Sequence, residues 1–391
     1  MRIHIVGLGP IGCLIAHHLR QSLPLRHSIT LVHKTAKTLS EARLLGNAIT
    51  LETGGVQIKA KHFAHEVYEK YNDRPPATPD APARPRIPTS DEHIDSLFLC
   101  IKGYQTVFAL QQLLHRLSSK STVVLMQNGM GIYEHIVERV FQNPEERPHF
   151  VLASINHGAF LKKYMHVVHR GSGDISFGAV PDARGRDYEA SLPDLNLDDI
   201  TTNTPDDPEA SRYLSLRNTI AALSSLPALG TRWKPIYDVN MAMRRKVVVN
   251  SVINPLTALL DCRNGEIFRH PEGEYIGRGV CSEAARVFRA QWADELKKAR
   301  AAGQNVADAH FPNELEADNL LEQCRRIATI TADNYSSMLM DVRRGRCTEI
   351  QVMNGYLLGL GNKYHIRMPY NSLLLNLIRL RSTIPSAPAH L

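Results

Sequence analysis

Short apolar runs punctuate the first 235 residues of the chain. Ile3-His4-Ile5-Val6, Ile29-Thr30-Leu31-Val32, Ser96-Leu97-Phe98-Leu99-Cys100 and Thr122-Val123-Val124-Leu125-Met126 are each followed by a turn and a helical pattern. Runs of that length alternating with helical periodicity predict strands feeding helices, and so a mostly parallel, doubly wound sheet. From about Tyr237 the pattern changes to long helical periodicity with few strand candidates as far as residue 391. The expected organisation is therefore an α/β domain over residues 1–235 and an all-α domain over 236–391, with the boundary near Trp233 to Asp238. Two segments break this texture. Residues 71–93 hold six prolines, and residues 181–210 hold four prolines among many acids. Proline removes backbone donors and little there is apolar, so both are expected as long solvated loops or partly disordered insertions.

Composition narrows the class without choosing a function. At 391 residues with 43% hydrophobic and 22% charged positions, the chain can bury two ordinary cores. No apolar run reaches the length a membrane helix needs. The opening strand leaves no room for a signal peptide or cleaved presequence, which points to a cytoplasmic protein with mitochondria as the alternative. Six scattered cysteines without Cys-x-x-Cys spacing suit free thiols in a reducing compartment. His62/His65 and His166/His169 are each three apart but lack a ligand set around them, so no metal site is expected. The net charge is +7. Residues 181–210 alone carry nine acids against two arginines, so the remainder, with 44 basic and 30 acidic residues, is strongly basic. Such a body suits an anionic ligand.

The first motif is Gly7-Leu8-Gly9-Pro10-Ile11-Gly12, set between the strand Ile3–Val6 and a helical pattern. Gly7 makes the tight turn, Gly9 lets the backbone approach a pyrophosphate, and Gly12 lets the helix pack on the strand. The helix N-terminus offers free N–H groups to phosphate. The second strand runs into His33-Lys34-Thr35-Ala36-Lys37, and no acid appears before Glu41. An NAD site wants a carboxylate there for the ribose 2′-hydroxyl, whereas Lys34 and Lys37 suit a 2′-phosphate, so the expected cofactor is NADPH/NADP+. Surface lysines without a ligand are the plain alternative. The loops Lys102-Gly103-Tyr104-Gln105 and Gln127-Asn128-Gly129-Met130-Gly131 follow further strands and should face the cofactor, with Gln105 among the candidate contacts.

Lys246, Asn250 and Asn254 recur every four residues in a helical stretch that is otherwise apolar except for Ser251. Steps of four advance about 400°, so the three make one polar stripe. Such groups on a buried helix need partners, either a structural network or a ligand. The ligand reading is a carbonyl site in which the ammonium gives a proton to oxygen as hydride arrives on carbon. A second cluster, Tyr335-Ser336-Ser337 through Asp341 to Thr348-Glu349-Ile350, is open to a plainer reading in which Thr348 and Glu349 begin a helix.

Taken together, these residues resemble the ketopantoate reductase (2-dehydropantoate 2-reductase) family of the 6-phosphogluconate dehydrogenase-like superfamily. The resemblance takes in the glycine motif, both loops, Asn156-His157-Gly158-Ala159, His169-Arg170-Gly171-Ser172-Gly173, Lys246 through Asn254-Pro255-Leu256-Thr257-Ala258, Asn264-Gly265-Glu266, Ser336-Ser337-Met338, Asp341, Thr348-Glu349-Ile350 and Asn354-Gly355. It implies an N-terminal Rossmann domain, a C-terminal helical domain and an active site in the cleft between them. It further implies NADPH-dependent reduction of ketopantoate to pantoate, on the route to pantothenate and coenzyme A. By the same resemblance Lys246 is the general acid and Glu349 hydrogen-bonds the substrate near the reacting centre. Asn250, Asn254 and Ser337 hold the substrate carboxylate and hydroxyl, and Asn128 and Lys102 sit by the nicotinamide. Both insertions exceed the compact bacterial-type pattern. The rival readings are a reductase of another 2-keto acid and a non-catalytic NADP(H) sensor. Nucleic-acid binding through Arg244-Arg245-Lys246 and Arg343-Arg344-Gly345-Arg346 ranks lowest, since these clusters are short and lack interleaved aromatics. A homodimer through the C-terminal helices is the expected assembly.

Overall fold

The computed structural model describes residues 1–67, 91–303 and 306–384. It divides into two compact units, one of Met1–Gln127 with Tyr133–Asn240 and the other of Asn128–Ile132 with Met241–Leu391. The first unit holds strands β1 (Arg2–Val6), β2 (Ser28–His33), β3 (Ile49–Thr53), β4 (Val56–Ala60), β5 (Ala64–Val67), β6 (Ser96–Leu99), β7 (Thr122–Leu125), β8 (His149–Ile155), β9 (Gly158–Lys163), β10 (His166–Gly171), β11 (Ile175–Ala179) and β12 (Thr231–Trp233). Its helices are α1 (Pro10–Ser22), α2 (Ala36–Leu44), α3 (Thr106–Leu113), α4 (Ile132–Arg139, whose first residue belongs to the second unit), α5 (Leu197–Ile200) and α6 (Ala210–Ser224).

Eight strands form the main sheet in the order β12-β11-β8-β7-β6-β1-β2-β5. All neighbours are parallel except β8 and β11. The four expected apolar runs are β1, β2, β6 and β7. On β1, Ile3, His4 and Ile5 are each at most 3% exposed, as befits a parallel strand covered on both faces. Strand order reverses between β1 and β6, so the carboxyl ends of these two strands open the crevice where doubly wound sheets bind ligands.

A second sheet, ordered β4-β3-β10-β9, was not anticipated. It packs on α1, with Leu14, Ile15 and Leu19 sharing a core with Ile49, Leu51, Met165 and Val167. Its β3–β4 hairpin turns on Gly54-Gly55, both at positive φ (57° and 83°), the chemistry a two-residue hairpin turn requires.

The 181–210 insertion departs from the expectation of a solvated loop. Its Tyr188, Ile200 and Thr201 are buried. Arg186 donates to both carboxylate oxygens of Asp207 (2.7 and 3.0 Å) and to the carbonyl of Ile200 (2.8 Å), and lies over the Tyr213 ring on α6. The acids that suggested a solvated loop are the groups that pin it. The other insertion, 71–93, lies outside the described residues except for Asp91–His93, which have no regular structure.

The second unit is built on α7 (Ile236–Leu260), α8 (Pro271–Ala301), α9 (Ala317–Ile330), α10 (Ser337–Arg343), α11 (Asn354–Lys363) and α12 (Pro369–Thr383). Helix α7 begins at Ile236, and the divide between the units falls after Asn240. Val248, Val252, Phe288, Leu320, Leu357 and Ile378 fill one apolar core. Among the described residues no helix is long and apolar enough to cross a membrane.

Candidate functional site

The first candidate site lies where β1 ends. Gly7 has φ +98°, and a Cβ there would lie 2.6 Å from the backbone of Cys100 just after β6. At Gly12, in the first turn of α1, a Cβ would lie 1.9 Å from the carbonyl oxygen of Gly7. These two glycines are therefore demanded by the turn and by helix–strand packing. Gly9 is different, because a Cβ there meets no protein atom within 4 Å. Its backbone, with Leu8, Pro10 and Ile11 around it, is open to a phosphate at the N-terminus of α1.

At the end of β2, Lys34 and Lys37 are exposed, and neither makes an ion pair among the described residues. Thr35 accepts from the Thr38 amide (3.3 Å) while Thr38 accepts from that of Thr35 (3.2 Å), a reciprocal cap that starts α2. His33, grouped with these lysines from sequence, is set apart from them. Its side chain is 0% exposed, with Nδ1 2.8 Å from the Tyr164 hydroxyl and Nε2 2.9 Å from Nδ1 of His65. Burial brings its imidazole down to about 4, so the ring is neutral near neutral pH. The side chain is a structural latch whose ring nitrogens are taken up by Tyr164 and His65.

The residues after β6 close a short turn in which the Gln105 amide donates to the carbonyl of Lys102 (2.9 Å). Lys102 and Gln105 are both half-buried. Gln127, two residues beyond β7, donates to Thr106 (2.8 Å), joining the segments that follow β7 and β6.

The second candidate site lies wholly in the helical unit. Along α7 exposure falls steadily: Lys246 and Asn250 are half-buried, and Asn254 is 7% exposed. Asn254 Nδ2 reaches Met353 Sδ at 3.7 Å. Met353 ends the short turn that Glu349 begins, and Glu349 itself is 5% exposed. Glu349 makes no side-chain cap to that turn, so the helix-starting reading does not account for its burial. The loop carrying Asn128 sits on the same turn. The Met130 amide donates to the Val352 carbonyl at 3.0 Å, and a Cβ on Gly129 would lie 2.4 Å from that oxygen. Asn128 thus belongs to the unit that carries Lys246 and Glu349, not to the unit of the glycine motif.

Ser337 is the exposed first residue of α10, while its neighbour Ser336 is the buried cap. Ser336 Oγ accepts from the Leu339 amide (3.1 Å) and from Thr257 Oγ1 (2.7 Å), which ties the start of α10 to α7 one turn beyond Asn254. Lys246, Asn250, Asn254, Glu349 and Asn128 therefore lie on two segments and a loop joined by direct contacts, with Ser337 on a third segment pinned to the same helix.

Below them is a buried network that sequence reasoning missed. Glu283 on α8 accepts from the amides of Tyr370 (2.8 Å) and Asn371 (3.0 Å) and from Asn371 Nδ2 (2.7 Å). Asn371 accepts in turn from Asn354 Nδ2 (3.0 Å), which also donates to the Ser251 carbonyl on α7 (3.0 Å). Asn354 appeared only as part of a motif, and its signal was a polar side chain at a buried helix start. Of the basic clusters, Arg244 pairs with Glu295, Arg245 with Glu314 and Arg343 with Asp261. Much of their charge is therefore answered within the protein. Among the described residues no group of three His, Cys, Asp or Glu side chains is placed to hold a metal.

Comparison with known proteins meets the same two regions. The family model described as ketopantoate reductase PanE/ApbA matches residues 3–182, and its C-terminal companion matches 238–382. The chain belongs to the ketopantoate reductase family. Residues 183–237, which include most of the second insertion, fall between the two matches. A probable 2-dehydropantoate 2-reductase of Schizosaccharomyces pombe is 24% identical over 99% of this chain and 98% of its own length. The 2-dehydropantoate 2-reductase of Saccharomyces cerevisiae is 25% identical over 93% and 89%. Among solved structures, a D-mandelate dehydrogenase with NADH and anilino(oxo)acetate superposes with a TM-score of 0.69 at 18% identity, covering 98% of each chain. A family ketopantoate reductase from Ralstonia eutropha gives 0.65 at 20%, also covering 98% of each. Membership in the family makes this protein an oxidoreductase with a mostly parallel α/β domain and a helical region.

Proposed function

We propose that this protein reduces 2-dehydropantoate to pantoate with NADPH. The observation that carries the reading is the α7 stripe, Lys246, Asn250 and Asn254, whose last member meets Met353 at the end of the turn that the buried Glu349 begins. An ammonium and two carboxamides in one stripe, leading to a turn that carries a buried glutamate, suit a small polar substrate better than packing alone. The first unit fits a nicotinamide dinucleotide phosphate: the open backbone at Gly9 suits the pyrophosphate, and Lys34 and Lys37 suit the 2′-phosphate. NADPH supplies the hydride to the C2 carbonyl carbon.

Lys246 holds a proton toward the carbonyl oxygen and passes it over as negative charge develops there, leaving a neutral amine that solvent reprotonates. Glu349 accepts a hydrogen bond from the substrate near the reacting carbon. Asn250, Asn254 and Ser337 supply donors for the carboxylate and hydroxyl. Asn128 and Lys102 lie by the nicotinamide. In this reading the protein also pairs with a second copy through its C-terminal helices. On α12 and its C-terminal cap, Leu373, Leu377, Leu380 and Ile384 are each at least 37% exposed at seam-like spacing.

The test is NADPH oxidation, followed by absorbance, with ketopantoate, pyruvate and branched 2-keto acids as separate substrates. Preference for ketopantoate supports the proposal. Preference for another acid assigns a related reductase, and no turnover with any of them removes the catalytic reading.

A further inference from the structure

The second, smaller sheet reaches the segment that carries Lys34 and Lys37 through Tyr164 and its bond to His33. Tyr164 is the first residue of the two-residue turn between β9 and β10. The second, Met165, is 1% exposed at φ 55°, and its carbonyl accepts from the Thr50 amide at 2.9 Å. The turn is therefore anchored in the sheet, and the Tyr164 ring projects from a fixed base. Its hydroxyl lies 2.8 Å from His33 Nδ1.

His33 and Thr38 bracket the segment that holds both selectivity lysines, Lys34 and Lys37. The phenol thus grips the residue just before that segment. Two further contacts complete the grip. His65 on β5 stacks on His33, ring centroids 5.2 Å apart, and bonds its other nitrogen. The Thr35–Thr38 cap fixes the turn from within. Burial, with His65 and Arg43 nearby, keeps the His33 ring neutral, and burial pushes the Tyr164 phenol up to about 12. The latch therefore adds no charge of its own beside a phosphate. It can act on cofactor choice only by position.

We propose that Tyr164 is a positioning residue for cofactor selectivity, holding Lys34 and Lys37, through His33, where they distinguish a 2′-phosphorylated nicotinamide dinucleotide from its unphosphorylated form. This rests on the reading that the two lysines meet the 2′-phosphate.

The experiment is fluorescence titration of the full chain with NADPH and with NADH, for wild type, Tyr164→Phe, Lys34→Ala/Lys37→Ala and the triple variant. Losing one hydrogen bond should weaken NADPH by roughly five- to tenfold in Tyr164→Phe, with NADH changed by less than about twofold. In the lysine-free background the same substitution should leave the NADPH:NADH ratio unchanged, as expected if Tyr164 acts through the lysines. Equal loss for both cofactors, or no loss, overturns the proposal and leaves the lysine reading standing. A wild type that does not favour NADPH, or a lysine-free variant that still does, overturns both. Should Tyr164→Phe fail to fold, His33→Asn and His33→Ala carry the same test. Asparagine keeps an acceptor where Nδ1 lies and should retain the preference that alanine loses; equal ratios in the two variants overturn the proposal.

Discussion

The α/β unit should lose stability in mild acid while the helical unit does not. Three imidazoles in its sheet, His4, His33 and His149, are at most 3% exposed. Burial lowers His33 and His149 to about 4 and His4 to about 3, and Arg116 beside His4 lowers that group further. None has a neighbour that reverses the direction. His4 has Arg116 at 2.9 Å as well as Glu66 at 3.6 Å, His33 faces His65 and Tyr164, and His149 faces the Arg212 carbonyl, Tyr188 and Tyr213. Because the folded values are depressed, it is the unfolded chain that binds protons. The stability is fully present above about pH 6.5 and is lost as pH falls toward 4. At pH 5 an unfolded imidazole is almost fully protonated, which costs the folded state about 2 kcal/mol per residue, or about 6 kcal/mol for the three. That is comparable with the whole stability of an ordinary domain, about 5–15 kcal/mol. Carboxylates do not confuse this window. Asp207, held well below the usual range by Arg186, loses its contribution only below about pH 4.

The chain has two tryptophans, Trp233 on β12 of the first unit and Trp292 on α8 of the second. Trp292→Phe and Trp233→Phe variants each leave one reporter, so urea unfolding followed by fluorescence reads each unit separately. The Trp233 transition should lose about 4 kcal/mol between pH 6 and 5, equivalent to about three protons taken up. The Trp292 transition should hold, since His270, His310 and His365 of the second unit are exposed already. His149→Gln should reduce the slope by about one proton. A flat Trp233 transition over this range, or a parallel fall in the Trp292 one, would refute the argument.

Other perturbations test the chemistry and the scaffold. Lys246→Ala should lower turnover by two orders of magnitude or more, with NADPH affinity intact by titration; full activity would remove Lys246 as the acid. Lys34→Asp with Lys37→Ala should weaken NADPH far more than NADH, and equal weakening would detach these lysines from the 2′-phosphate. Gly12→Ala places a carbon 1.9 Å from the Gly7 carbonyl oxygen, so dinucleotide binding should vanish even where circular dichroism shows the variant folded. Glu283→Ala strands three buried donors and should destabilise the helical unit by about 3 kcal/mol or more, read as a loss in the Trp292 transition.

How far the sequence discloses this molecule depends on whether its signals are local. The main sheet announces itself because each central strand is buried on both faces, so Ile3–Val6 and Thr122–Met126 are mostly apolar, with His4 and Thr122 the polar exceptions. The glycine motif is legible for the same reason: Gly7 and Gly12 have no steric alternative within a few residues. The second sheet was hidden because two of its strands, β4 and β9, are largely exposed edges without an apolar run; only Gly54-Gly55 marks it locally. The 181–210 insertion misled because composition counts acids without seeing their partners, and Arg186 lies twenty-one residues from Asp207.

The candidate site shows the same division in sharper form. Lys246, Asn250 and Asn254 declare themselves by spacing along one helix. Glu349 carries no such pattern, and its part depends on contacts from far along the chain: Asn254 to Met353, Met130 to Val352, and Asn354 to Ser251. Asn128 makes the point from the other side. Its position after β7 places it by topology with the cofactor-binding unit, yet Met130 and Gly129 bind the loop to the turn that Glu349 begins. A strand of one unit thus ends in a loop held by the other. If Asn128 meets the nicotinamide while Glu349 meets the substrate, the backbone bond from Met130 to Val352 fixes the spacing of those two contacts independently of any side chain. Substitution at Gly129 should then disturb hydride transfer more than the binding of either ligand alone, because the added carbon would lie 2.4 Å from the Val352 carbonyl oxygen that accepts that bond.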